Sequence, residues 1–445
     1  MWVKIEVVHH DQKMIYLPAA QAKDCGPAPA VKFGGKSTIA GVQTQDDLEE
    51  AGENSFETPG RIKLTDKLQA ELHMPEAPVY QVHLHNSRIS FGPVIGLLLG
   101  NATGRYNPLH MMKYSDRFGV YPQVGGLIYA FSPKFINWRD LSAYGLYYNY
   151  DAALWEYGLF PLPEVIYRRD FHTDPNQIKR LEESTQGKLF NSYRFSKYEL
   201  YDFIKLNNEL KQHLPPTEYS DDFDQIRKFI HRHHKVILKP IDLSRGRGIC
   251  VVEKNNEKYK IVDLRSKHPI IYELYNDELL ENFFGVYPDF FNNYLIQKYL
   301  PLAQIGNAPF DIRVVMQKGP DQEWGCTGIE CRVSKNGYLT NISRGGFALG
   351  LEEALQQAFP LEHADLPGRL HQLCWKFCSY MDTAGEHFAE FGLDIAIDTD
   401  RNLWIIEANV FPSFKGFKKM DLDTYLSIRY TPLLYAASLT SFGAP

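Results

Sequence analysis

The sequence predicts a multidomain α/β (α+β) protein, and three observations predict it. Residues 1 to 88 carry short strand-like runs broken by Gly and Pro, such as AVKFGGKSTIAGVQ, with weak helical periodicity. From Ile89, buried-strand patterns such as ISFGPVIGLLLG and GGLIYAFSP alternate with helical stretches, as in an open α/β unit. From Ser196, a third region opens on a helix and closes on two apolar strands joined by a polar turn, FGLDIAIDTDRNLWIIEANVFPSF.

The boundaries follow from these shifts in pattern. A small, mostly β N-terminal domain is expected over 1–88 and an α/β domain over 89–195. A larger domain is expected over 196–430, in two halves that meet at 300/301, with a C-terminal tail over 431–445. Ser196 and Glu199 form a capping box, and Leu200, Phe203, Ile204 and Leu210 give the helix its apolar stripe before Pro215 and Pro216 end it. No repeat or low-complexity tract interrupts the chain.

Composition excludes several function classes. The net charge of −6 over 445 residues argues against nucleic acid as the main partner, because a backbone binder needs a basic surplus. The longest notable apolar run, Val94–Gly100, is far short of a membrane span, and the N-terminus alternates like a strand without a signal-peptide apolar block. A cytosolic protein is expected. The six cysteines include no CxxC pair. Cys374 and Cys378 fall on one helix face with Leu370, Leu373, Phe377 and Met381, which makes them core residues rather than ligands. The run HRHHK, His231 to Lys235, precedes a strand and is expected to be a solvated helix end.

The closing strand pair raises a question of charge. If Asp398 pairs with Leu403 across the turn, Asp394 falls directly opposite Glu407. Glu407 and Asn409 share that face, because side chains alternate with a period of two. Like charges directly opposite are destabilising, so a positive group belongs between them. Two carboxylates and an amide oxygen make a hard, all-oxygen set that suits magnesium holding phosphate oxygens. A strand end whose acids meet a lysine or arginine is the alternative.

Other stretches add to the pattern. KVILKPIDLSRGRGICVVEK reads as two strands around a cationic, glycine-rich tip, Ser244-Arg245-Gly246-Arg247-Gly248. Its glycines let backbone N–H groups approach phosphate, and a strand follows the tip, which excludes a P-loop or Rossmann turn. Lys239, in the first apolar strand, wants an anionic partner. YLIQKYLPL is a strand running into a proline-ended connection. In PFDIRVVMQKG, Asp311 and Arg313 share a face; IECRV carries Arg332, and TNISRGGFA carries Asn341.

In this order the motifs resemble the ATP-grasp superfamily over about residues 190 to 415. GPVIGLLLG, GGLIYAF, PLPEVIYRR, LFNSYRFSKYEL, LPPTEY and LKPIDLSRGRGI more narrowly resemble the YheC/YheD family of endospore coat-associated proteins, across nearly the whole chain. The resemblance implies an ATP-grasp domain over 196–430 behind a pre-ATP-grasp domain over 89–195, and a spore-associated setting. It implies that Lys239 contacts the α/β-phosphates and that the Ser244–Gly248 tip (Ser244, Arg245, Gly246, Arg247, Gly248) closes over the triphosphate. Gln297, Lys298, Tyr299 and Leu300 would line the adenine slot, with Asp311 near the ribose or metal shell and Asn341 in the nucleotide site. Arg313 and Arg332 would be the catalytic cations. Asp394, Glu407 and Asn409 would hold Mg2+ (or Mn2+). Lys197 resembles an earlier lysine that some relatives place on the nucleotide. Lys298 departs from the family, whose hinge has an acidic residue just before its aromatic or aliphatic pair.

The implied reaction is ATP-dependent ligation of a carboxylate, through an acyl-phosphate, to an amine; an amino acid, peptide or cell-envelope component would be the substrate. No nucleophilic side chain is required, which fits the absence of a Ser-His-Asp or Cys-His set. The competing expectation is an Mg-ATP-binding structural or scaffolding coat protein with little turnover.

Overall fold

The computed structural model describes all residues except 24, 46–53, 86, 171, 242–246, 267, 335–345 and 444–445. Four sheets carry the chain in sequence order. The first has eight strands between Trp2 and Gly92 and mixes parallel and antiparallel pairs. The second has six, with parallel strands Leu127–Asn137, Val94–Leu98, Val165–Arg168 and Leu189–Phe190 extended by an antiparallel hairpin, Ser142–Asn149 and Leu154–Pro161.

The third sheet is antiparallel, in the spatial order Thr217–Tyr219, Tyr294–Lys298, Lys235–Pro240, Cys250–Asn255, Lys258–Asp263, Ile270–Leu274. Helices Phe223–His233 and Asp277–Val286 cover one of its faces through Ile226, Phe229, Leu280 and Phe284. The fourth sheet runs Phe347–Leu349, Trp324–Val333, Ala308–Lys318, Glu390–Ile397, Leu403–Asn409, with Gln304–Ile305 paired to Ala308–Lys318. Helix Leu366–Met381 packs Leu370, Leu373, Cys374, Phe377 and Cys378 onto Ile312, Val314, Leu393 and Ile395, so the cysteines are core as expected. The opposite face of that sheet carries the charged residues of the site. The basic run ends helix Phe223–His233, also as expected.

The boundaries differ from the sequence reading in three places. Strand Arg88–Gly92 belongs to the first sheet, so the break falls at Gly92-Pro93 rather than at 88. The first two sheets also share one core, in which Val31, Phe33 and Phe91 pack with Val94, Tyr129 and Phe160. The capped helix is only Lys197–Ile204; Asn207 then caps a short helix, Asn208–Lys211, through its side chain, which splits the expected single stripe. Residues 431–438 are the second half of helix Leu422–Ser438 and not a tail. Pro432 reads as a breaker in sequence, but the helix tolerates it, with Leu433, Tyr435 and Ala436 buried against Ile95, Leu97 and Val165 of the second sheet.

A buried polar network ties the second sheet to the fourth. Arg169, just past Val165–Arg168, donates to Glu390 Oε1 at 2.5 Å, to Tyr167 Oη at 2.9 Å and to the Pro412 carbonyl at 2.9 Å. Tyr167 and Gln317 donate to Glu390 Oε2 at 3.0 and 2.8 Å. Glu390 is fully buried, so removing its carboxylate strands a guanidinium. Glu390→Ala is expected to destabilise the protein by about 3–5 kcal/mol, and Glu390→Gln by less. A thermal melt reads this directly; an unchanged midpoint for Glu390→Ala would contradict it.

Candidate active site

Alternation along the fourth sheet builds a row of charges. Arg313 is registered to Glu330 on one neighbour and to Asp394 on the other, and Asp394 is registered to Glu407. Glu330, Arg313, Asp394 and Glu407 therefore lie side by side across four strands. In the next row Asp311 is registered to Arg332.

The expected pairing of Asp394 with Glu407 is present, but it arises differently. The hairpin closes with Ile397 opposite Leu403, one residue off the assumed register. Asp398 is taken up by the turn instead, accepting from the backbone N–H of Asp400 and Asn402 and from Trp404 Nε1 at 2.8–3.0 Å. The register shifts between Asp394 and Ile395, where Ile406 is the extra residue. Leu403 and Ile405 face the core. Strict alternation would send Glu407 there too. The bulge re-aims it to the charged face.

Two guanidiniums occupy the space beside Asp394. Arg313 donates to its Oδ1 and Oδ2 at 2.5 and 3.0 Å, and Arg332 Nη2 lies 3.1 Å from Oδ2. Arg332 also grips Asp311 bidentately at 2.7 and 2.8 Å. Burial alone would raise the Asp394 carboxyl, but the two guanidiniums outweigh it and hold it below its ordinary range. Glu407 has no hydrogen bond or ion pair among the described residues. Burial and the facing Asp394 push it up. The rows hold four acids, Asp311, Glu330, Asp394 and Glu407, against two arginines, a surplus of acid groups that a cation would balance.

Lys239 faces this surplus from the third sheet. Its Nζ donates to Gln297 Oε1 at 2.7 Å, and Gln297 Nε2 donates to Thr217 Oγ1 at 2.8 Å. Burial pushes Lys239 down to about 8, against the pull of Glu407 and Asp394. A cavity between the sheets is lined by Lys197, Thr217, Lys239, Gln297, Ile406 and Glu407. A second runs beside it along Ser196, Lys197, Glu407 and Asn409. Lys197 lines both and donates to the Pro240 carbonyl at 3.0 Å.

The other expected residues are placed as follows. Strands Lys235–Pro240 and Cys250–Asn255 pair as hairpin arms, and Gly248, with φ of 78°, takes a conformation that favours glycine. Ser244, Arg245, Gly246 and Asn341 lie outside the described residues. Of the hinge stretch only Gln297 lines the cavity; Lys298 is exposed and Leu300 is buried. The N–H groups of Lys298 and Tyr299 donate to the carbonyls of Pro216 and Lys235 at 2.9 and 3.0 Å. Ile237 and Tyr299 pack with Val251, Val262 and Leu264 in a small apolar floor. Glu330 was missed, although the period-two argument used for Asp394 applies to it: it lies two residues before Arg332 in an apolar strand. Among the described residues, no three His, Cys, Asp or Glu side chains converge as a ready metal cluster. Asp394 is registered to Glu407, and Glu407 lines the second cavity with Asn409.

Residues 186–439 match the YheC/D-like ATP-grasp family. The chain belongs to that family. It is similar to the endospore coat-associated protein YheD of Bacillus subtilis (strain 168), 24% identical over 375 residues, which is 81% of this chain and 82% of that protein. It is also similar to YheC of the same organism, 23% identical over 328 residues, 70% of this chain and 88% of that one. Among solved structures it is similar to the ATP-grasp ligase PsnB complexed with precursor peptide PsnA2 and AMPPNP (TM-score 0.43, 14% identity, 78% of this chain and 99% of that chain). D-alanyl-alanine synthetase A from Vibrio cholerae O1 gives a TM-score of 0.41 at 11% identity, over 76% and 98% of the two chains. No described helix is long and apolar enough to cross a membrane.

Lys239, buried on the first cavity, is proposed to hold anionic ligands in its charged form. ADP binding in EDTA is then expected to weaken as pH rises through about 8, where the free lysine loses its proton. Lys239→Met flattens that profile and weakens binding throughout. A wild-type profile that is flat a unit either side of that value would contradict the assignment.

Proposed function

We propose that the protein is an ATP-dependent carboxylate–amine ligase that releases ADP and phosphate. The observation that carries this reading is the charged row. Arg313 and Arg332 are fixed by sheet register beside an excess of acids, and Glu407 at the end of that row lines a cavity with the buried Lys239. Such an arrangement serves phosphoryl transfer, where catalysis is largely positioning and charge stabilisation.

Lys239 and the Arg247–Gly248 end of the hairpin bind the triphosphate, and the apolar floor around Ile237 and Val251 takes the base. Asp394, Glu407 and Asn409 fit magnesium or manganese in donor type and in charge, and they would hold it. Bound there, the ion would supply positive charge against the phosphates. A substrate carboxylate oxygen attacks the γ-phosphorus. The bond to the β,γ-bridging oxygen breaks, and ADP leaves with that electron pair. The amine nitrogen then attacks the acyl carbon, the bond to phosphate breaks, and the amine gives up a proton to solvent. Arg313 and Arg332 stabilise the charge that gathers on the transferred group. No protein nucleophile takes part. The named relatives are endospore coat-associated, and we assign this ligase to amide bond formation on a coat or cell-envelope peptide.

Incubation with ATP, magnesium and candidate amino acids, peptides or cell-wall fragments is expected to release ADP, and hydroxylamine in place of the amine is expected to trap a hydroxamate. Arg313→Ala lowers trapping by about a hundredfold or more while nucleotide binding persists, because the arginine acts in the transition state. A product formed with release of AMP and pyrophosphate would overturn the mechanism.

A further inference from the structure

Glu330 has no part in the reading above, yet it occupies the row beside Arg313. It is 2% exposed, and its Oε2 has no hydrogen-bond partner. Arg313 thus stands between two acids: Asp394, which it grips through two hydrogen bonds, and Glu330, which it does not. The fold leaves room for the free carboxyl. Gly416, in helix Lys415–Met420, lies so close that a Cβ there would come within 1.8 Å of Glu330 Oε2. The lysines of that helix, Lys415, Lys418 and Lys419, are exposed. Helix Leu422–Ser438 meets this strand at Gly328 with Thr424 and Ile428, which carry no charge. The charged groups that act on Glu330 are therefore Arg313, Arg332, Asp394 and Asp311.

We infer that Glu330 is a positioning residue, the second counter-ion of Arg313, which receives the guanidinium when Asp394 turns to the nucleotide's metal ion. The inference rests on the nucleotide reading above. Both oxygens of Asp394 are engaged by guanidiniums, so a carboxylate oxygen given to a metal is withdrawn from an arginine. Arg332 keeps Asp311. Among the described residues, Arg313 has no other registered acid than Glu330. Directly opposed residues have Cβ atoms about 4.5–5.5 Å apart, within reach of a side-chain swing. A buried guanidinium left without an acid is costly, and Glu330 prevents that cost. Burial pushes the waiting carboxyl up to about 7, with Arg313 and Arg332 opposing. Pairing with Arg313 lowers it again, and the proton passes to solvent.

Calorimetry of Mg-ATP binding in two buffers of different ionisation enthalpy tests this, with wild type compared with Glu330→Gln. Lys239 and Glu407 titrate in both proteins, so the difference in proton count isolates Glu330. Wild type is expected to release more protons than the variant, with a larger difference at about pH 6 than at about pH 8 because Glu330 starts more protonated there. The variant keeps the wild-type melting temperature and its binding of ADP in EDTA, but loses about ten- to a hundredfold in Mg-ATP affinity. Glu330→Asp restores part of that affinity. Equal proton counts and equal Mg-ATP affinities in wild type and Glu330→Gln would overturn the inference alone. Absence of magnesium-dependent ATP binding in wild type would overturn both the inference and the reading beneath it.

Discussion

The guanidinium of Arg313 donates to both oxygens of Asp394, and Arg332 reaches the same carboxylate. That shared grip is possible because Ala308–Lys318 is a central strand with the two acid-bearing strands on either side. Desolvation is severe for each of these groups, and each is tolerable only through its neighbours. The grip also sets what the site can do. It stores positive charge next to an acid surplus and gives the sheet a charged face in a position that would otherwise be core. A dication arriving with a polyphosphate brings both signs at once, and the row can exchange partners without leaving an ion bare.

The same strands are held from outside by the second sheet. Glu390 begins the strand that carries Asp394, Gln317 lies four residues beyond Arg313, and Pro412 follows Asn409 by three. Arg169 joins Glu390 to the Pro412 carbonyl, and Tyr167 and Gln317 both donate to Glu390. The strand ends of the second sheet therefore anchor the ends of the strands that carry Arg313, Asp394 and Asn409. In an open α/β sheet the carboxyl ends of the strands are where ligands bind. Here those ends abut the segment that follows the candidate metal residues.

Much of this was legible in the sequence, for reasons that can be located. The core helix around Cys374, the capping box at Ser196 and the pairing of Asp394 with Glu407 all follow from periodicity or capping chemistry. The pairing was reached through a turn register one residue off, and the bulge at Ile406 cancelled the offset; a bulge leaves no clear mark in an apolar run such as WII. Glu330 carried the same signal as Asp394, a lone acid in an apolar strand, and was legible. The arginine grip was not, because period-two counting says which face a residue takes but not which neighbour it bonds. The helix across Pro432 and the core shared by the first two sheets depend on tertiary burial, which overrides local breakers.

Under the proposed function, the acid surplus on this row is a seat for a dication that arrives with the nucleotide. Electron paramagnetic resonance of Mn2+, titrated with a non-hydrolysable ATP analogue, tests it most directly. The protein is expected to bind the manganese–nucleotide complex more tightly than metal or nucleotide alone, and Glu407→Gln to weaken the metal's share of that binding by about tenfold or more. Manganese held no more tightly with the protein than by the nucleotide in solution, or held equally by Glu407→Gln, would contradict it.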